Sequence, residues 1–209
     1  MMADNQLTPA EERQGWKLLF DGSSFAGWTF PYEDHGWTID NGAICCAEPV
    51  GGGRNVCTAA KYEDFELYLE YLHEENVNSG IFLRQSDLYD PVHTGLEVQI
   101  LDNYGDVELN SHTCGAIYDL VAPKSAPFKP AGQWNTVRIT CRGPEISVSL
   151  NGEQVSEMDV SRWTEPGRNP DGTENKFRYA WADLPRLGHI GLQDHSGRIW
   201  FKNIKLKPE

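Results

Sequence analysis

The sequence predicts an all-β fold, a single-domain sandwich of antiparallel sheets. Three observations carry this. Apolar residues recur with a period of two through most of the chain, turn residues separate the runs, and helical periodicity is scarce.

In chain order, the first element is a short helix over Pro9 to Gln14. Trp37 follows in an early strand and belongs to the core. "FELYLEYL" sets Phe65, Leu67, Leu69 and Tyr71 on one side and Glu66, Tyr68 and Glu70 on the other. "SGIFLRQ" alternates Ile81 and Leu83 with Phe82 and Arg84, and "NTVRITCRG" alternates Val137, Ile139 and Cys141 with polar residues. "EISVSLNGEQV" reads as a hairpin, because Asn151-Gly152 suits a tight turn. A short turn is expected near Glu157 to Trp163. The polar, Pro/Gly-rich stretch 164–186 is expected to be a long loop over one edge or face. "GHIGLQDHSGRIWFKNIKLK" supplies the last strands around a Ser196-Gly197 turn.

Composition bounds the function. The chain has 209 residues, 39% of them hydrophobic, with 7 Trp, 8 Tyr and 8 Phe, enough for one sizeable core. A net charge of −13 and a pI near 4.8 argue against nucleic acid and anionic membranes as partners. No run of 18 apolar residues occurs, so no membrane-spanning helix is expected. The N-terminus, MMADNQLTPAEER, is not a signal peptide. The compartment is left open: periplasmic or secreted if an export signal has been removed, otherwise cytoplasmic. Five cysteines exclude a complete internal disulfide framework and show no CxxC spacing. Buried free thiols are the expectation, although an exported protein could carry one or two bridges. The oligomeric state is open.

The functional candidate is "TGLEVQILDN". On a regular strand Glu97, Gln99 and Leu101 share one face. The Ile100-Leu101 pair interrupts the alternation. A bulge there would return Asp102 to the side of Glu97, whereas without it Asp102 would cap a turn. Same-face neighbours start roughly 6.6 Å apart, a span suited to two carboxylates on either side of a glycosidic bond. Neutral Gln99 between them would force no proton onto either acid. Both "FELYLEY" and "GLEVQIL" carry aromatics, acids and amides on their non-core side. The expectation is one concave, sugar-binding sheet face, since rings stack on pyranoses and carboxylates and amides bind hydroxyls. A glycoside or oligosaccharide is therefore the expected partner.

Ten stretches, from "GWKLLFDGSSFAGW" through "NSGIFLR", "GLEVQILDN" and "GAIYDLVAP" to Lys176-Phe177 and "GHIGLQDHSGRIWFKNIKLK", resemble the 3-keto-disaccharide hydrolase domain family. The resemblance runs in order from Gly15 to Lys207. It implies a concanavalin A-like jelly-roll sandwich with a concave ligand face, similar to laminarinase-type glycosidases. The implied division is an extension over residues 1–14 and one domain over 15–209. Laminarinase-type enzymes carry a Glu-x-Asp-x-(x)-Glu strand. Here the middle acid is Gln99 and the last is the shorter Asp102, a departure that argues against direct retaining hydrolysis.

The family name implies a different chemistry. A ketone at C3 acidifies the C2 proton, its removal gives an enediolate, the C1 substituent leaves, and water adds back. A base, an electrophile at the C3 oxygen and an acid at the C1 oxygen suffice. Glu97 and His195 are the acid/base candidates, with Asp102 as the second carboxylate. Arg84 is a candidate for holding the C3 oxygen, or for an ion pair with a sheet carboxylate such as Glu97. Gln99, Gln193, Asn78 and Tyr118 are the binding candidates. His93 and His112 could line the groove's end, and His189 is expected to be structural. No cofactor is required by the sequence. A divalent metal such as calcium is compatible with it but undetermined, because no tight ligand spacing occurs. The rival functions are a non-catalytic carbohydrate-binding module and an ordinary glycosidase.

Overall fold

A computed structural model describes residues 4–105 and 108–209. The chain runs α1 (Pro9–Arg13), β1 (Lys17–Leu18), β2 (Trp28–Thr29), β3 (Trp37–Asp40), β4 (Ala43–Cys46), β5 (Val56–Thr58), β6 (Phe65–His73) and β7 (Asn78–Gln85). It continues through α2 (Pro91–Thr94), β8 (Leu96–Leu101), β9 (Asn135–Arg142), β10 (Glu145–Leu150) and β11 (Glu153–Asp159). Two 3₁₀ turns, Val160–Arg162 and Trp181–Asp183, precede β12 (His189–Leu192) and β13 (Ile199–Pro208).

The strands form two antiparallel sheets. One has eight strands in the order β11-β10-β9-β6-β13-β4-β3, with β1 added beside β13; the other has five, β2-β5-β12-β7-β8. The alternation explains the packing. Phe65, Leu67, Leu69 and Tyr71 of β6 are fully buried, as are Val137, Ile139 and Cys141 of β9. They face Ile81, Leu83, Val98, Ile100, Ile190 and Leu192 of the smaller sheet across one continuous apolar core. Burial of this area is the main stabilising term.

Most sequence expectations hold. The helix begins at Pro9 behind a Thr8 capping box and ends at Arg13, with Gln14 as its C-cap. Asn5 and Asn203 exchange hydrogen bonds of 2.6 and 2.9 Å, and Glu11 pairs with Lys205, so the N-terminal segment is tied to β13. Asn151 and Gly152 have positive φ values of 49° and 86°, which joins β10 to β11 by the tight turn expected of that pair. All five cysteines are buried and free. Trp37 and His189 are buried, and the loop 164–186 sends Phe177 and Trp181 into the core. Among the described residues no helix is long and apolar enough to cross a membrane.

One expectation is corrected here. The polar faces of β6 and β8 do not form a common surface, because the two strands lie in different sheets. Glu66, Tyr68 and Glu70 point away from the core on the eight-stranded sheet, opposite the side where Glu97 lies.

Candidate active site

The site is built on the outer face of the five-stranded sheet. Register pairs Phe82 with Glu97 and Gly80 with Gln99 across β7 and β8, and Gly191 with Phe82 across β12 and β7. Those residues therefore share the face opposite the core. Gly80 makes the floor low enough for a carboxylate, and Gly191 leaves room for the Gln85 amide. A Cβ on Gly80 would lie 2.5 Å from Glu97 Oε1, and one on Gly191 would lie 2.9 Å from Gln85 Oε1. Only a residue without a side chain lets Glu97 lie down over β7.

Glu97 is walled in from the other side by residues 115–118, which run beside β8. The Gln99 N–H donates to the Ala116 carbonyl at 3.0 Å and the Tyr118 N–H to the Glu97 carbonyl at 2.9 Å. Glu97 is consequently only 7% exposed. Burial pushes its carboxyl up to about 7, against the opposing influence of the Lys176 charge and of a hydrogen bond from Gln193. With its nitrogen turned toward its acceptor neighbours, the Gln99 amide donates to Glu97 Oε1 at 3.2 Å and to the Ser79 carbonyl at 3.0 Å. Gln99 thus orients the acid from below.

A pocket of about 110 Å³ opens at Glu97, lined by Asn78, Val92, Tyr118, Lys176, Gln193 and His195. Five sequence candidates therefore meet in one place: Glu97, His195, Gln193, Asn78 and Tyr118. Lys176 is the addition that sequence reasoning missed as a site residue. Its Nζ stands 4.1 Å from the centroid of the Tyr118 ring, a cation–π contact that holds the charge over the pocket. The only signal in the sequence was its membership of the Lys176-Phe177 pair among the matching stretches. His195 is exposed at the rim. His93 lines not this pocket but the adjoining larger hollow, and stacks edge-on against Phe177. His112 instead pairs with Asp119 at 3.1 Å and packs against the Tyr118 ring.

Two candidates lie elsewhere. Arg84 takes a left-handed backbone (φ 53°) where the β7–β12 register shifts. Its buried guanidinium is carried away from the cleft, donating to the Glu63 carbonyl at 2.7 Å and to Asp64 Oδ1 at 2.9 Å. It neither meets substrate space nor pairs with Glu97. Asp102 does not rejoin Glu97, because β8 pairs with β7 without a register break up to Leu101. Asp102 leaves the sheet and accepts the Asn76 N–H at 2.8 Å, the turn-capping alternative. Glu97, Asp102, His93 and His195 do not converge, and among the described residues no group of three or more His, Cys, Asp or Glu is disposed to hold a metal.

A two-sheet sandwich with a buried acid under a polar, ring-lined hollow defines a carbohydrate-active protein of the concanavalin A-like jelly-roll type. The sequence model of the 3-keto-alpha-glucoside-1,2-lyase-like domain matches residues 15–207, and the chain belongs to that family of glycoside-cleaving enzymes. It is 29% identical, over 94% of its own length and 79% of the relative's, to a Bacteroides thetaiotaomicron protein named 3-keto-disaccharide hydrolase. A crystal structure from Parabacteroides distasonis ATCC 8503, provisionally named a glycosyl hydrolase, superposes with a TM-score of 0.82 at 33% identity, covering 93% of this chain and 99% of that one. The exoplasmic/lumenal domain of VIP36, bound to Ca²⁺ and Man3GlcNAc, shares the fold alone: TM-score 0.56, 10% identity, 94% of this chain and 89% of that one.

Proposed function

We propose that this enzyme cleaves 3-keto-glucosides, disaccharides among them, by elimination across C1 and C2 followed by hydration. The observation that carries the reading is Glu97: the buried carboxyl that lines the pocket, whose pKa of about 7 lets it both take and return a proton near neutrality. The family description and the relative's name support the substrate class.

The roles follow from what surrounds the acid. The Glu97 carboxylate removes the C2 proton. Negative charge develops on the C3 oxygen, and the Lys176 ammonium in the same pocket stabilises it. Tyr118 keeps its proton, because burial and the neighbouring Glu97 raise its pKa, so it serves as a hydrogen-bond donor. Asn78 and Gln193 hold ring hydroxyls. The C1–O bond breaks, and His195 at the rim protonates the departing oxygen. Water then adds to C1 and gives its proton to His195, while Glu97 returns its proton to C2. The net change is hydrolysis without a covalent enzyme intermediate. One acid at the reaction centre, rather than an opposed pair, fits this route better than direct displacement.

The test is turnover of a 3-keto disaccharide in D₂O. Deuterium at C2 of the released keto sugar, above a blank without enzyme, and no cleavage of the unoxidised disaccharide are expected. Cleavage of the unoxidised sugar without C2 exchange would overturn the proposal.

A further inference from the structure

The Glu97 pocket is too small for a disaccharide to lie wholly within it, and it does not end blindly. Val92, Gln193 and His195 also line a second hollow of about 540 Å³, within the range of small-ligand sites. We infer that this larger hollow is the subsite for the leaving unit and that it selects a neutral, hydroxyl-rich ring such as a hexose. The inference rests on the reading of Glu97 as the reaction centre and adds the identity of the group that departs.

Three features of the wall argue for it. Polar atoms are left unspent: Asn55 Nδ2, Gln193 Oε1 and His93 Nδ1 are all buried in this wall without a hydrogen-bond partner. A buried polar atom without a partner is costly, so three in one wall point to a ligand that satisfies them. They include a donor, an acceptor and an imidazole nitrogen, a set suited to hydroxyls, which do both. The charged groups of the wall are already engaged within it. Arg178 pairs with Asp90 at 2.7 Å, and Asp194 accepts the Val50 and Gly51 N–H groups at 3.1 Å each, so the wall keeps its guanidinium from an anionic ligand and its carboxylate oxygens already hold donors. A ring platform stands at the mouth. Tyr89 is 66% exposed but braced edge-on by Tyr32, whose own ring lies under Arg54. A fixed, exposed aromatic over a polar hollow is suited to the apolar face of a pyranose.

The test uses two substrates, two variants and one titration. Tyr89→Ala removes an exposed ring with little burial, and His93→Phe keeps the ring packed on Phe177 while removing both nitrogens. Each variant is expected to lower kcat/KM for a 3-keto disaccharide by tenfold or more and for methyl 3-keto-α-glucoside by less than twofold. Equal losses on both substrates, or none on either, would overturn the subsite. Independently of turnover, D-glucose titrated into the wild-type protein is expected to shift the Asn55 side-chain amide resonances saturably, and to do so more weakly in both variants. Failure of glucose to bind there overturns the subsite. If glucose binds as expected but neither keto substrate is cleaved, the subsite stands and the proposed reaction falls.

Discussion

The molecule has two outer sheet faces that look alike in sequence and differ in kind. On the eight-stranded sheet, Glu66 is met by Arg138 and by Lys207 at 2.9 Å, Glu70 by Lys202 at 3.9 Å, and Tyr68 donates to Glu70 at 3.0 Å. Lys205 lies 4.6 Å from the Tyr68 ring centroid, and Lys202 lies 4.2 Å from that of Trp134. Nearly every acid and ring there has a cation from the adjacent strand, and the surface is electrically satisfied. On the five-stranded sheet, Glu97 is buried at the base of a pocket, Gly80 leaves room for its carboxylate, and Gln193, Asn55 and His93 retain unsatisfied atoms. A surface whose groups neutralise one another has nothing left for a ligand. The cleft keeps its polar groups costly and unspent, which is what binding and proton transfer require.

The sharpest way to break this comparison is Glu97→Gln. On the cleft face it is expected to cut turnover of a 3-keto disaccharide by roughly 10²–10⁴-fold, the size of one lost acid/base group. It is also expected to stabilise the protein in alkaline buffer. The folded carboxyl titrates at about 7 instead of 4.5, so the stability of the wild-type protein is full below the unfolded value and is lost as pH rises toward 7. Glutamine removes that loss, worth roughly 3 kcal/mol above pH 8 and nothing at pH 4. Melting temperatures of both proteins from pH 4 to 8 check this; parallel curves would show that Glu97 is not buried as described. If Glu97 is the base, wild-type kcat/KM should rise as pH climbs through about 7.

How much of this could be read beforehand depended on whether the cause was local. Strand alternation is local, so the core faces of β6 and β9, the Asn151-Gly152 turn and the placement of Glu97 with Gln99 were legible. The sequence marks His195, Gln193, Asn78 and Tyr118 as separate candidates, while their meeting with Glu97 in one pocket follows from a strand order that the sequence does not give. Other features depended on distant residues. Whether the polar side of β6 becomes a ligand face is decided by the lysines of β13, which lie more than a hundred residues downstream. Arg84 follows the alternation of "SGIFLR" until a left-handed backbone turns it out of register, and no glycine marks that position. Asp102 looked displaced by a bulge because Leu101 breaks the pattern, yet Leu101 packs against the core margin while the strand stays regular. Lys176 reaches the pocket from an irregular loop, where no periodicity points to it.

The next effect in size separates two cations: Arg84, which the sequence suggested for the C3 oxygen, and Lys176, which lines the pocket in its stead. Lys176→Met keeps the stem that covers Tyr118 but removes the charge beside the reacting oxygen. A loss of about 10²-fold in kcat is expected, with a smaller change in KM, as for one removed oxyanion donor. Arg84→Met is expected to leave kcat within about twofold but to lower stability by about 2–3 kcal/mol, because Asp64 and the Glu63 carbonyl lose their donor. Denaturant unfolding with parallel kinetics reads both, and an exchange of the two phenotypes would reverse their assignments.

The smallest effect tests the satisfied face. Glu70→Gln alters an acid that holds only a long contact to Lys202 and one hydrogen bond from Tyr68, in half-exposed surroundings. Surface pairs of this kind contribute about 0–1 kcal/mol and are screened by salt. A stability change in that range is expected, shrinking in high salt, with kcat/KM untouched. Salt matters to the argument because it separates the faces without further mutation. Ions screen the Glu70–Lys202 pair at the surface, whereas the burial of Glu97 makes it far less sensitive to salt. A salt-insensitive loss of activity in Glu70→Gln would mean that the eight-stranded face also takes part in function, and the contrast between paired and unspent surfaces would no longer identify the site.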